Sequence, residues 1–162
     1  MNPVHRAARA LVIALAVLGV LAYGCAAAVT VADIVGRTIG YPVQGVVDLV
    51  QLFVVAGAWL VMPFAFLTAA HVGVDFIVNR LPRALRVPLH LFSATVALVL
   101  VGLMLWYGFD TFKVRSMFGD RSQQLGIPIA WFWYPLLLGL SASLIAIVAE
   151  AVGTVRGRTG HE

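Results

Sequence analysis

Four stretches of this chain run for more than twenty residues without a charged side chain: Arg9 to Asp33, Asp48 to His71, Arg86 to Asp110, and Arg121 to Glu150. No other feature narrows the possible folds as far. A bilayer hydrocarbon core of about 30 Å, at 1.5 Å rise per residue, needs about 20 apolar residues per helix. The pattern predicts spans at about 10–32, 49–70, 87–109 and 127–149. The runs lack the strict alternation of barrel strands. In lipid, a lone apolar segment satisfies its own backbone only as a helix. The expected fold is an all-α integral membrane protein, a single four-helix membrane domain over residues 1–162.

Composition agrees. Of the 162 residues, 62% are hydrophobic and only 11% charged, where a soluble domain has roughly 25% charged. A disordered chain lacks this apolar content, and one small core cannot hide it in water. The net charge is +4 and the basic residues form no single patch, so no nucleic-acid partner is expected. The lone Cys25 excludes an intramolecular disulfide and a multi-cysteine metal site.

The first span has to be weighed as a signal peptide, with His5, Arg6 and Arg9 as its basic flank. Ala22-Tyr23-Gly24-Cys25 loosely resembles a lipoprotein cleavage site. Tyr23 stands where small residues are usual, however, and apolar sequence continues to Ala32. A retained span is expected, with Cys25 as a small buried apolar residue.

Basic residues set the expected orientation, because Lys and Arg are enriched on the cytoplasmic side. Arg6, Arg9, Arg80, Arg83, Arg86, Arg156 and Arg158 fall on one side, while Arg37, Lys113, Arg115 and Arg121 fall on the other. Both termini are therefore expected in the cytoplasm. The last outer loop, with three basic residues, runs against the trend. Trp106, Tyr107, Trp131, Trp133 and Tyr134 gather near one interface, as an aromatic belt does.

The polar residues lie at span ends. Asp33 and Arg37, four apart just after span one, share a helix face if helix continues there; otherwise they are a solvated loop pair. Asp48 and Gln51 open span two on one face. Two readings stand: an acid favoured by the helix dipole, or a polar pair that meets another protein. Pro63, deep in span two, is expected to kink it or expose a carbonyl. His71-Val72-Gly73-Val74-Asp75 ends span two, as a polar terminus or as a contact that anchors the turn. Behind it, Ile77, Leu81 and Leu85 recur every four residues, while Asp75, Asn79, Arg83 and Arg86 share another face. This predicts a short amphipathic segment in the interface, interrupted at Pro82, with its basic side toward membrane lipids.

His71 and His90 could in principle clamp a haem, as in the membrane anchor of a redox complex, but such ligands usually lie deeper in a bundle. No cofactor or metal is expected in this chain. No catalytic constellation and no nucleotide fingerprint are found, so no enzyme is expected. No acid lies mid-span, where a transporter places its coupling sites. A small self-assembling four-span transporter would need a membrane-embedded carboxylate in span one, and none is there. Gly139 and Ser143 form one small-xxx-small stripe suited to helix packing.

Several marks then resemble one family in order along almost the whole chain. They are Ala32-Asp33-Ile34-Val35-Gly36-Arg37 after span one, and Tyr41-Pro42-Val43-Gln44-Gly45-Val46-Val47-Asp48-Leu49 before span two. His71-Val72-Gly73-Val74-Asp75 with Leu81-Pro82 follows, then Leu125-Gly126-Ile127-Pro128 with Trp131 and Tyr134. Together they resemble the DctQ-like small membrane subunit of TRAP transporters, the tripartite ATP-independent periplasmic systems. The resemblance implies a bacterial inner-membrane location and a large membrane subunit that holds the substrate and sodium sites. It implies a periplasmic binding protein that delivers substrate, organic acids by default. The large subunit would move as an elevator against the small one, a fixed scaffold on a separate polypeptide. Asp48, where the family more often has glutamate, would be a structural or partner-facing position, as would His71 and Asp75. The basic outer loop from Lys113 through Arg115 to Arg121 would touch the binding protein.

Overall fold

A computed structural model describes residues 3–68 and 83–156 of the chain. They form four helices: α1, Pro3–Thr38; α2, Val46–Leu67; α3, Arg83–Met117; and α4, Ala130–Arg156. Each is long and apolar enough to cross a membrane. His71, Asp75 and the expected interfacial segment as far as Pro82 lie outside the described residues. Just beyond Pro82, where a break or restart is expected, helix begins, and Arg83 and Arg86 belong to the start of α3.

α1 and α3 outrun the predicted spans. At 1.5 Å per residue, 36 and 35 residues make about 54 and 52 Å, well beyond a hydrocarbon core of about 30 Å. Charge marks where a helix leaves the oil, but it does not stop the helix. What stops both is a glycine in the left-handed region, Gly40 at φ 83° and Gly119 at φ 67°. The Gly40 amide donates to the Arg37 carbonyl at 3.4 Å, and the Tyr41 amide donates to Gly36 at 2.7 Å. At the end of α3 the same pair recurs, Gly119 to Ser116 at 3.2 Å and Asp120 to Arg115 at 3.3 Å. This is the Schellman closure, which satisfies the last carbonyls of a helix.

α2 lies between α1 and α4, α3 packs on the other side of α4, and α1 meets α4 along a shorter stretch. α4 is thus the element the others share. Val101 of α3 and Leu140 and Ile147 of α4 form the buried centre, flanked by Trp59, Met62 and Phe66 of α2 and by Leu105 of α3. Among the described residues α3 has a substantial neighbour along one flank. Phe92, Leu100 and Trp106 on its remaining surface are exposed. In water that face would be a liability, but in a bilayer it is ordinary.

α2 and α4 approach closely at Gly139. Pro63 has no amide proton to give the carbonyl four residues back, that of Trp59. The freed Trp59 oxygen lies so close to Gly139 that a Cβ there would overlap it. Ser143, one turn on, is fully buried, and its hydroxyl donates to the Gly139 carbonyl at 2.8 Å. The predicted stripe is the α2–α4 contact, and the predicted exposed carbonyl sits on it. Thr30, Thr95, Thr111 and Ser141 also return their hydroxyls to carbonyls four residues back, which keeps polar atoms satisfied in lipid. Cys25 departs from expectation. It is exposed on α1, and its neighbour Ala26 takes the buried position.

Candidate functional site

Asp33, Arg37 and Asp48 lie at one end of the bundle, where two loops join the helices: residues 39–45 between α1 and α2, and 118–129 between α3 and α4. Each loop is held by one buried carboxylate.

Asp33 holds the first. Because α1 continues to Thr38, Asp33 and Arg37 are helical neighbours and not a loop pair, which corrects the solvated-loop reading. Arg37 Nε donates to Asp33 Oδ2 at 2.8 Å. The other oxygen, Oδ1, accepts the backbone amide of Val43 at 3.1 Å. Asp33 is 7% exposed. The Arg37 side chain is 63% exposed, so the guanidinium covers the acid from the solvent side.

Asp48 holds the second. It sits in the first turn of α2 and is 4% exposed. Its Oδ2 accepts the amides of Gln124 at 2.9 Å and Leu125 at 2.7 Å, seventy-six and seventy-seven residues away. The Ser122 hydroxyl also hydrogen-bonds this carboxylate, and its oxygen accepts the Ile127 amide at 2.9 Å. The loop closes on itself as well, Ser122 to Ile127 and Ile129 to Asp120, both at 2.9 Å. The Leu125 side chain lies over Gly45, so the two loops touch. Asp48 therefore finds its partner within this chain. Gln51, expected to share its role, is exposed.

The remaining site residues lie apart. Lys113 and Arg115, expected on a loop, belong to the last turns of α3. The Lys113 ammonium stands 4.6 Å from the centroid of the Phe109 ring, close enough for cation–π attraction. Arg115 reaches Asp120 at 3.8 Å, and both are about half exposed. Arg121 donates to the Gly126 carbonyl at 3.3 Å. Aromatic rings mark the same end: Phe112 of α3 meets Tyr134 of α4 at 5.8 Å between centroids, and Trp131 meets Tyr134 edge-on at 6.2 Å. The His71–His90 pair cannot be judged, since His71 lies outside the described residues. Among the described residues no three His, Cys, Asp or Glu side chains gather as a metal site.

Sequence reading found both acids and missed what they bind. Their partners are backbone amides, which any residue but proline supplies. Ser122 carried one usable signal, a small hydroxyl residue in a turn-rich loop.

The arrangement defines a class. It is a small four-helix membrane protein whose buried acids are engaged in holding loops. The chain belongs to the DctQ family, described as the DctQ component of tripartite ATP-independent periplasmic transporters, which matches residues 26–157. It is thus a small membrane component of a TRAP transporter, in the inner membrane. A comparison with curated proteins finds no match.

Proposed function

We propose that this chain is the non-catalytic scaffold of its transporter, a fixed frame beside a large elevator subunit. In this reading, that subunit takes up organic acids with sodium, delivered by a periplasmic binding protein. The observation that carries the reading is the use of the two buried acids. Asp33 and Asp48 are engaged by Arg37 and by the amides of Val43, Gln124 and Leu125. Carboxylates so occupied fix geometry; they do not shuttle ions or protons. The exposed apolar faces of α1 and α3 leave ample surface for lipid and for a larger companion.

The test is reconstitution. With the binding protein supplied, the large subunit together with this chain should take up substrate in proteoliposomes, and neither membrane subunit alone should do so. Uptake by this chain alone would overturn the reading.

In the same reading both termini face the cytoplasm, and the loop end faces the binding protein. Arg115 and Arg121, at and beyond the end of α3, are then the cations that meet it, and Lys113 lies below them on the helix. Charged groups on such a surface steer association in a salt-dependent way. Reversing Arg115 and Arg121 to Glu should slow uptake at low salt and change it little at high salt. Unchanged uptake at every salt concentration would remove this contact.

A further inference from the structure

Toward the loop-bearing end, one side of the α3–α4 pair carries an open groove of about 570 Å³. Gly102 and Leu105 of α3 and Leu137 of α4 line its apolar part, and Phe109, Asp110 and Lys113 line its upper rim. Gly102 is the notch: a Cβ there would meet nothing within 4 Å. From Gly102 to Lys113 the helix rises about 16 Å. One leaflet of hydrocarbon is about 15 Å deep. The apolar run of α3 ends at Phe109. Asp110 and Lys113 therefore stand in the headgroup layer, about 2 and 6 Å above the hydrocarbon edge.

The rim carries one charge of each sign. Among the described residues, Arg37 pairs with Asp33 and Arg115 with Asp120, and neither pair uses Asp110 or Lys113. Lys113 is held at the groove mouth by the Phe109 ring. We propose that this groove binds a zwitterionic aminophospholipid. Its acyl chain lies over Gly102 between Leu105 and Leu137, its phosphate is on Lys113, and its ammonium is on Asp110. Charge selects the headgroup. A purely anionic lipid would set its charge against Asp110, whereas an ammonium and a phosphate each find a counter-charge. A rim built for a protein helix would have no reason to end at the depth where headgroups begin.

The experiment uses native mass spectrometry on the delipidated, assembled transporter. It is titrated with phosphatidylethanolamine or phosphatidylglycerol of the same acyl chains. Wild type should retain phosphatidylethanolamine in preference. Lys113→Gln should weaken retention of both lipids, roughly tenfold for one lost charge-assisted bond. Asp110→Asn should weaken only phosphatidylethanolamine and remove the preference. Gly102→Phe, pointing into open space, should remove one bound lipid per small subunit, as should Ser141→Phe from the α4 side. The proposal falls if both filling variants leave the lipid count unchanged, or if phosphatidylglycerol binds wild type as tightly. It falls also if a photo-crosslinker at Leu137 captures a protein partner instead of lipid.

Discussion

At the residue scale, the two acids at the loop end differ in what they stand to lose. Arg37 is exposed and covers Asp33 from the solvent side, so in Arg37→Ala water can replace the guanidinium and the cost should stay below about 1 kcal/mol. Asp33→Ala also leaves the Val43 amide without its acceptor, and about 1–3 kcal/mol is expected. Thermal unfolding in detergent should give that order, and equal losses would show that the Val43 bond does not matter. At Asp48 the sharper readout is amide exchange. Asp48→Ala should speed exchange at Gln124 and Leu125 about tenfold while the amides of mid-α4 hold their rate. Asp48→Glu keeps the charge but adds a methylene, so exchange there should rise less. Both acids were legible in the sequence, because a charge beside an apolar run always stands out. Their roles were not, because a backbone amide leaves no mark in the residue that carries it. Cys25 was misread for a related reason: on an apolar helix, periodicity does not tell Cys25 from Ala26, and only a neighbouring helix decides which is buried.

At the scale of elements, the number and order of the helices were plain and their lengths were not. Runs free of charge measure the membrane, whereas Gly40 and Gly119 measure the helices. Gly119→Ala puts a Cβ at φ 67°, at a cost of about 1–2 kcal/mol, and should fray the last turn of α3. Helical chemical shifts at Arg115 and Ser116 would report it. Gly139→Leu sets a side chain against the Trp59 carbonyl, a contact with backbone that cannot swing aside. Overpacking of this sort costs about 1–3 kcal/mol. A fall in melting temperature should come with weaker cross-linking of cysteines placed across α2 and α4. Here the sequence was informative: Pro63 foretold a freed carbonyl and the Gly139–Ser143 spacing a close face. That they meet one another was visible only in three dimensions.

At the scale of the molecule, α2 and α4 carry most of the helix packing, yet Leu138, Ile145 and Val148 of α4 are exposed too, and α1 and α3 each keep a broad apolar face. A chain so built is stable only in a medium that wets those faces. Orientation is checked by single cysteines at the two ends in a Cys25→Ser background. Impermeant reagent added outside intact cells should label position 41 and leave position 6 untouched, and the reverse pattern would invert the assignment. The sequence gives no handle on which exposed face a companion covers, since Phe92 and Leu100 suit lipid and protein equally.

The central place of α4 also governs how the protein is made. During synthesis the first two helices can pair as soon as both have left the ribosome. Among the described residues the third helix packs substantially on α4, so it enters the bilayer before that helix has been translated. A nascent chain halted before residue 130 carries a hydrophobic rod without the helix it packs against, and the last helix, once made, joins the two halves.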